Sequence, residues 1–222
     1  NPPFLRQAAS ASNLFAGDTN GYPDIFLYDQ QTDNTERVNL NSSGEQAKDW
    51  GSSGVAISAT GRYVVFGSGA SNLVPGDTYG TSDVFVRDRQ TGTTRIISIN
   101  GDGQIGNDSS SSPKITGDGR YIAFLSEADN LVPDDVNDRR DAFIHDIQTG
   151  ITEIVSVSST GEQANRNIYG PTTLTEDGRY VTFMSQATNL VPDDTKSLYD
   201  VFVYDRMTKT IERVSVNSVG QQ

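Results

Sequence analysis

The residues best suited to chemistry are carboxylates that recur in short loops of similar sequence. The first of these loops carries Asp18, Asn20 and Asp24, which place oxygen atoms at positions i, i+2 and i+6 around a glycine. Calcium takes roughly six to eight oxygen ligands, and a compact loop can wrap the ion when backbone carbonyl groups complete the set. An EF-hand is excluded because the glycine stands at i+3 and a predicted strand follows at once. The spacing therefore predicts a calcium site of a different kind.

Three further copies of this loop occur in the chain. The middle residue is again an asparagine in the third copy, Asn137, but it is Tyr79 in the second and Lys196 in the fourth. The carboxylate pairs of these copies are Asp77 with Asp83, Asp135 with Asp141, and Asp194 with Asp200. We expect the first and third copies to bind calcium better, because Lys196 could place its ammonium group where the ion would lie. The alternative is structural: the first Asp caps a turn, and the second accepts backbone N–H groups or pairs with an arginine of the preceding strand.

Three residues that the repeat does not require are candidate ligand-binding residues. Trp50 is the single tryptophan, and an exposed ring could stack on a sugar or anchor a peptide, although it could equally close the edge of a core. Tyr169 lies in a long connection of the same type. His145 replaces a tyrosine or arginine of the other copies, so it is either packed structurally or available as a general base or ligand.

Catalytic templates are missing from the sequence. It has one histidine and no cysteine, and neither G-x-S-x-G nor H-E-x-x-H occurs. No motif for a nucleophilic triad or a zinc peptidase is therefore present. Paired carboxylates leave a glycosidase open as an alternative, but the acidic residues follow the repeat, as structural residues do. We predict no catalytic residues and expect binding rather than an enzyme activity.

The elements that must position these residues recur with a nearly fixed period. Segments similar to NLVPGDTYGTSDVFVRD, residues 72–88, begin at positions 13, 72, 130 and 189, so their spacings are 59, 58 and 59 residues. Such a period is typical of solenoids and propellers. Each complete copy contains four short segments rich in Val, Ile and aromatic residues, which we name strands a to d. In the second copy they are 55–58, 62–68, 83–88 and 94–99.

The pattern predicts an all-β fold, a β-propeller of four-stranded antiparallel blades. Residues 1–222 form one repeat domain of about four copies, and the first copy lacks strand a and has a weak strand b within residues 1–12. In such blades the a–b and c–d turns lie on one side, and the b–c and d–a connections lie on the other. The first two kinds are tight and the other two are long, so we expect the long-loop face to bind partners.

Composition narrows the range of partners. With 29 acidic and 17 basic residues the formal charge is −12, which opposes binding to nucleic acid or anionic lipid and favours cations or basic partners. No apolar run approaches the roughly 18 residues of a membrane span, so we expect no membrane insertion. The absence of cysteine excludes disulfides and cysteine metal sites.

The repeat as a whole resembles a known family. A GRY segment followed by F-x-S, then NLVPGD, DVFV-x-D, a T-G turn and an ERVSV-like strand is similar to the TolB-like β-propeller repeat, a relative of the WD-repeat propellers. The resemblance extends over residues 13–222. It implies an exported bacterial protein, periplasmic or extracellular, that uses the propeller as a binding scaffold. Members of the family include free-standing binding proteins and accessory domains of peptidases and polysaccharide-degrading enzymes.

Three expectations for function follow from the residues and the resemblance together. The first is a non-catalytic scaffold of the bacterial envelope or exterior, stabilised by Ca²⁺, that binds a protein or glycan partner on the long-loop face. The second is a carbohydrate-binding or polysaccharide-processing propeller, and the third is a structural accessory domain of a larger enzyme. Rings of this family usually have six or seven blades. Four blades therefore close a small ring, belong to a larger one, or pair with a second chain as a homo-oligomer that completes the ring.

Overall fold

The protein is built from β-strands joined by turns and loops. The structure is a computed structural model that describes residues 4–9, 17–77, 80–218 and 220, with residues 4–9 and 171 described by their backbone alone. Its strands are β1 (Phe4–Ala9), β2 (Asp24–Asp29), β3 (Asn34–Arg37), β4 (Ser52–Ile57), β5 (Tyr63–Ser68), β6 (Asp83–Asp88), β7 (Thr93–Ile96), β8 (Ser110–Ile115), β9 (Tyr121–Ser126), β10 (Asp141–Asp146), β11 (Ile151–Ile154), β12 (Ile168–Leu174), β13 (Tyr180–Ser185), β14 (Asp200–Asp205) and β15 (Thr210–Arg213).

The strands pair into four antiparallel sheets, which we name blades 1 to 4. Blade 1 contains β1 to β3, blade 2 contains β4 to β7, blade 3 contains β8 to β11, and blade 4 contains β12 to β15, each in sequence order. This arrangement confirms the predicted all-β fold and the four-stranded blade with an incomplete first copy. Strand β1 pairs with β2 from Phe4↔Asp29 to Ala9↔Asp24. The side chains expected to weaken this strand lie outside the described residues.

The inner blades are buried on both faces because each packs between two neighbours. All six residues of β10 are buried, and five of the six in β9 are buried. Apolar residues therefore occupy both alternations of these strands instead of one. Phe124 and Phe143 stack at the centre of blade 3 with 5.8 Å between their ring centroids. The same stacked pair recurs in the neighbouring blades as Phe66 with Phe85 and Phe183 with Phe202.

Three hydrophobic clusters join consecutive blades. Each combines the forward face of one blade, which is directed toward the next blade, with the backward face of that next blade. Representative members are Ile25 with Phe66 between blades 1 and 2, Val84 with Phe124 between blades 2 and 3, and Ile144 with Phe183 between blades 3 and 4. The core is thus divided into layers between the sheets.

The forward face of blade 4 is partly exposed. Val201 and Val203 are half-buried there, and Val214 and Val216 are 45% and 41% exposed. In blade 3 the residue equivalent to Val203 is Ile144, which is 1% exposed because blade 4 covers it. Blade 4 therefore presents an apolar sheet face of the kind that blades 1 to 3 each cover with a neighbour.

The tight a–b turns also connect neighbouring blades. Gly119 has a φ of +82°, and a Cβ atom at this position would lie 2.3 Å from the ring of Tyr63 in the preceding blade. Gly178 in the next blade has the same relation to Tyr121. Only glycine permits both the backbone conformation and this close approach, which explains the glycine of the D-G-R turns in blades 3 and 4.

The arginine that begins each predicted strand b is engaged at the far end of strand c. Arg62 donates from Nε and Nη2 to Asp88 at 3.0 and 2.7 Å, and Asp88 also accepts the backbone N–H of Gln90 at 2.9 Å. These bonds to Arg62 lower the pKa of Asp88 to about 2. Arg120 with Asp146 and Arg179 with Asp205 repeat the pair. The sequence left open that these arginines pair with the second carboxylates of the b–c loops. They pair instead with Asp88, Asp146 and Asp205, because the loop carboxylates lie at the opposite end of strand c.

Candidate functional site

The long loops are tied to one another by asparagine side chains. Asn72 Oδ1 accepts the backbone N–H of Lys48 at 2.8 Å, and Asn72 Nδ2 donates to the carbonyl of Gln46 at 2.9 Å. Asn130 bonds Asn107 and Ile105 in the same way, and Asn189 bonds Asn165 and Gln163. We call each of these asparagines, with its two bonds to the backbone, a latch. Each latch joins the start of a b–c loop to the preceding d–a connection, so the two kinds of long loop form one continuous surface on this face.

Each b–c loop ends in a buried aspartate at the first position of strand c. Asp83 is fully buried, and its Oδ1 accepts the hydroxyl of Ser98 at 2.6 Å. Ser98 Oγ in turn accepts the backbone N–H of Val84 at 3.1 Å. Ser156 with Asp141 and Ser215 with Asp200 make the same contact, and Asn39 makes it with Asp24 in blade 1. The second carboxylate of each predicted metal pair is therefore fixed at the beginning of strand c by a side chain that follows strand d.

Blade 1 places a guanidinium group between its two loop carboxylates. Arg37 lies with Nη2 3.2 Å from Asp18 Oδ1 and with Nε 3.3 Å from Asp24 Oδ2. The side chains of Arg37, Asp18 and Asp24 are 3%, 3% and 0% exposed. A buried cation therefore already lies where the sequence predicted calcium in this copy.

Blade 4 also places a guanidinium group beside a loop carboxylate. Arg213 Nη1 lies 3.3 Å from Asp194 Oδ1, and their side chains are 10% and 1% exposed. Lys196 was the residue expected to bring a positive charge to this loop, and its side chain is exposed. The buried positive charge beside Asp194 is the guanidinium of Arg213.

The asparagines at the middle of the first and third loops donate to the carboxylates. Asn137 Nδ2 donates to Asp141 Oδ2 at 2.8 Å and to the carbonyl of Ala164 at 3.1 Å. Its Oδ1 accepts the backbone N–H of Arg139 at 3.0 Å. Asn20 is arranged in the same way toward Asp24. The amide oxygens predicted as metal ligands thus already accept backbone hydrogen bonds, and Tyr79, at this position in the second loop, lies outside the described residues.

Blades 2 and 3 carry isoleucine where blades 1 and 4 carry arginine. Ile96 pairs with Phe85 in the sheet register, and Ile154 pairs with Phe143. Burial raises the pKa of Asp83 to about 7, and the nearby charge of Asp77 adds to the shift. Burial likewise raises the pKa of Asp141 to about 7, with a further contribution from Asp135. Burial therefore makes the charged form of both carboxyl groups unfavourable.

Each of the four loops supplies two carboxylates to its site. No group of three or more His, Asp or Glu side chains that could hold a metal occurs within the part of the chain that the structure describes. A metal bound here would therefore rely on carbonyl groups and water for most of its ligands. The calcium assignment for these loops stays a prediction, and the contacts above separate the loops that contain an arginine from those that do not.

Trp50 lies on the long-loop face and is 57% exposed. It sits in a sharp bend, since Asp49 and Trp50 both have positive φ values, +56° and +25°. The indole packs over Gly69, where a Cβ atom would come within 3.1 Å of Trp50. Tyr22, 42% exposed, lies on an adjoining loop that is joined through the bond from Ser52 N–H to the carbonyl of Pro23. Two exposed aromatic residues thus flank the junction of blades 1 and 2.

A second aromatic group lies at the junction of blades 3 and 4. Tyr169 and Tyr199 meet edge to face with 5.4 Å between ring centroids, and the guanidinium of Arg140 lies 4.9 Å from the centre of the Tyr169 ring. Tyr199 is 56% exposed, and the neighbouring Leu198 is 61% exposed. Tyr169, predicted from the sequence, is therefore the half-buried member of this aromatic group, and Tyr199 is its exposed member.

His145 is placed away from these aromatic groups. It lies near the end of β10, toward the tight turns, and is 3% exposed. Its Nδ1 is 2.9 Å from Thr152 Oγ1, and Thr152 donates to the carbonyl of Ile99 at 2.6 Å. Burial lowers the pKa of His145 to about 4, so the ring is neutral at pH 7. The structure brings Trp50 and Tyr169 to one face and gives His145 a packing role elsewhere.

Several residues of this face were not predicted from the sequence: Arg37 and Arg213, the serines that bind the buried aspartates, and the exposed tyrosines Tyr22 and Tyr199. A signal for the two arginines was present, because the fourth strand reads T-E-R-V and I-E-R-V in the outer copies and R-I-I and E-I-V in the inner ones. Comparing the copies at this strand would have separated the two kinds of loop.

Comparisons with known proteins bear on the fold. No protein-family model matches the chain, and no curated protein matches it. The chain is similar to TolB from Acinetobacter baumannii at 16% identity and TM-score 0.50, over 88% of this chain and 38% of that one. It is similar to a putative TolB from Agrobacterium tumefaciens at 14% identity and TM-score 0.54, over 95% and 60%. It is also similar to the tricorn protease at 12% identity and TM-score 0.55, over 90% and 20%.

At these identities the likeness concerns the fold, and the chain has a TolB-like β-propeller fold. It spans less than two thirds of each of these proteins, between 20% and 60% of their length. Among the described residues no helix is long and apolar enough to cross a membrane.

Proposed function

We propose that the protein is a non-catalytic binding scaffold of the bacterial envelope or exterior that engages a protein partner through its long-loop face. The observation that carries this proposal is the exposure of Trp50, Tyr22 and Tyr199 on that face. Aromatic residues that are exposed on rigid loops are the usual anchors of protein interfaces, because they bury a large area at low cost in conformational entropy. The TolB-like fold supports an exported location.

The latched loops suit such a role. Asn72 and its equivalents hold the b–c loops against the d–a connections through paired hydrogen bonds to the backbone. Fixed loops lose little conformational freedom when a partner binds, which favours affinity. The face also carries many of the acidic side chains, so a basic patch on the partner would complement it.

Catalysis is not supported by the groups with shifted pKa values. Asp83 and Asp141 have the raised pKa values that acid catalysts often show, but both are fully buried and hydrogen-bonded to serines that follow strand d. His145 is buried and bonded to Thr152. A catalytic group must reach its substrate, and none of these side chains is open to one.

Binding can be tested with variants on the long-loop face and on the opposite face, where the tight turns lie. We expect Trp50→Ala and Tyr199→Ala each to weaken binding to the partner by about 10-fold or more, because a buried aromatic anchor contributes roughly 1.4 kcal/mol or more. Met207→Ala, on the opposite face and 76% exposed, serves as the matched control and should change affinity by less than about twofold. Candidate partners are envelope proteins cross-linked to the chain and then purified for calorimetry. Equal losses for both faces would refute the proposal.

A carbohydrate partner is the second candidate, favoured by the exposed indole of Trp50. A flat aromatic ring presented by a rigid bend can stack on a sugar ring. Because Trp50 is the single tryptophan, its fluorescence reports directly on contact with a glycan. A glycan array measured with and without Ca²⁺, followed by quenching titrations, distinguishes this function from protein binding. The same face would serve if the repeat acts as an accessory part of a larger enzyme.

A further inference from the structure

We propose that blade 2 binds a divalent cation, Ca²⁺, between Asp77 and Asp83, at the position that an arginine side chain occupies in blades 1 and 4. The inference concerns one loop out of four and does not depend on the proposed partner. It rests on a comparison of equivalent atoms in blades 1 and 2.

The sheet register makes the comparison direct. Arg37 lies opposite Phe26 in blade 1, and Ile96 lies opposite Phe85 in blade 2. Asp24 in blade 1 uses Oδ1 to accept the side chain of Asn39, and its Oδ2 faces Arg37 at 3.3 Å. The blade 1 loop therefore has one carboxylate oxygen for the sheet and one for a cation.

Asp83 in blade 2 has the first of these contacts. Its Oδ1 accepts Ser98 Oγ at 2.6 Å, whereas its Oδ2, the atom equivalent to the one that faces Arg37, is buried and has no hydrogen-bond partner among the described residues. The side chain is 0% exposed, so water does not solvate this oxygen from outside. A buried carboxylate oxygen without a partner is strongly unfavourable, and a bound cation would compensate it.

The second carboxylate of the loop, Asp77, stands at the position that Asp18 holds in blade 1. In blade 1 the equivalent pair, Asp18 and Asp24, both lie within 3.3 Å of one guanidinium. A cation at the same place in blade 2 would bind both carboxylates, with loop carbonyl groups and water as its remaining ligands.

Blade 3 shows why the proposal concerns blade 2 first. Ile154 also stands at the arginine position there, but Asn137 Nδ2 donates to Asp141 Oδ2 at 2.8 Å. An amide therefore satisfies in blade 3 the oxygen that is unpartnered in blade 2. The sequence alone favoured the first and third loops as calcium sites, and our proposal favours the second.

The chemistry of the site indicates Ca²⁺ at modest affinity. Two carboxylates and neutral oxygens resemble the weaker calcium sites of extracellular modules, which have Kd values of about 10⁻⁴ to 10⁻³ M. Mg²⁺ demands a stricter octahedral geometry and gives up its water reluctantly, so we expect it to bind more weakly in a loop of this kind.

The test is a titration of the chelator-treated chain with CaCl₂ and, separately, with MgCl₂, followed by thermal unfolding and by calorimetry. At about ten times Kd, Ca²⁺ should raise the Tm by roughly 4 °C, and Mg²⁺ should have a smaller effect. Asp83→Asn preserves the shape of the side chain and should abolish the response. Asp102→Asn, an exposed acidic change in a d–a connection, is the matched control and should keep it.

The arginine of blade 1 supplies a second, constructive test. Ile96→Arg should raise the Tm of the chelator-treated chain and remove its response to Ca²⁺, because the guanidinium then occupies the cation position. The proposal is overturned if Asp83→Asn responds to Ca²⁺ as the unaltered chain does. It is also overturned if the unaltered chain shows no response to 10 mM Ca²⁺ in either measurement. Asp83→Asn keeps the test decisive if Ile96→Arg does not fold.

Discussion

One register position of strand d holds arginine in blades 1 and 4 and isoleucine in blades 2 and 3, and this difference sets the electrostatics of each blade. Arg37 neutralises two buried carboxylates in blade 1, whereas Ile96 packs against the cluster shared by blades 1 and 2. A buried charge that loses its partner is far more costly than an exposed one. Stability should therefore depend on Arg37 much more than on the exposed arginines of the tight turns.

Replacement of Arg37 tests this dependence. Arg37→Met should lower the free energy of unfolding by about 3–5 kcal/mol, because it leaves Asp18 and Asp24 buried without a counter-charge. Urea denaturation at pH 7 measures the loss, with a chelator present so that no divalent cation replaces the guanidinium. Arg62→Met is the matched control, since the Arg62 side chain is 40% exposed and its solvent-screened pair with Asp88 should contribute far less to stability. Equal costs would contradict the interpretation.

His145 gives the protein a pH dependence of known sign. Burial, followed by the charge of Arg95, lowers its pKa from 6.5 to about 4, while Asp146 opposes the shift. The unfolded chain binds this proton near pH 6.5 and the folded chain only near pH 4. The contribution of His145 is therefore fully present above pH 6.5 and is lost as the pH falls toward 4, by up to roughly 3 kcal/mol.

The variant His145→Tyr isolates this contribution. Tyrosine faces a threonine at the equivalent position of blade 1, where Tyr28 pairs with Thr35, so the fold can accept it. Between pH 7 and pH 4.5 the variant should gain about 2–3 kcal/mol relative to the unaltered chain, as measured by urea denaturation at both pH values. Comparing the two chains removes the opposite effect of Asp83 and Asp141, whose raised pKa values favour the folded state as the pH falls. A constant difference across this range would contradict the buried neutral histidine.

At the scale of the element, the asparagine latch makes the two kinds of long loop one unit. Asn72→Ala removes both bonds and should cost about 1–3 kcal/mol, because the backbone groups of Lys48 and Gln46 lose their partner. Hydrogen exchange at the amide of Lys48 should become faster in this variant. Asn72→Asp keeps an acceptor for Lys48 and should protect that amide better than the alanine variant. If exchange at Lys48 is the same in all three chains, the latch does not hold the loop.

The elements were predictable and the contacts between them were less so. Short strands and turns repeat every 58 or 59 residues, which defined the blades and assigned the long loops to one face. The partner of Asp24 could not be read from spacing, because Arg37 reaches it across a strand pair, 13 residues further along the chain. The asparagines also bond distant backbone groups, and these contacts depend on how adjacent loops pack. Exposure of Trp50 depends on a bend in which Asp49 and Trp50 both have positive φ values, and the residue types at these positions do not predict such a bend.

For the whole molecule, the partly exposed forward face of blade 4 makes a quantitative prediction. Val203 is half-buried there, whereas the equivalent Val86 in blade 2 is 1% exposed. Val86→Ala should cost about 2 kcal/mol, and Val203→Ala should cost about half as much or less in dilute solution. Equal costs at high dilution would show that the face is covered within one chain. If a second copy completes the ring through this face, the cost of Val203→Ala rises with protein concentration, and light scattering gives a mass above 24.0 kDa.

The three clusters between consecutive blades also determine how the fold can grow and come apart. Because each blade packs on its sequence neighbours, stability approximates a one-dimensional sum of blade and junction contributions. Blades 2 and 3 have two junctions each, so native-state hydrogen exchange should be slowest in β5, β6, β9 and β10 and faster in β14 and β15. For the same reason, a duplicated repeat would bring its own junction with it. A chain of this kind can change its number of blades by steps of one repeat without a new type of contact.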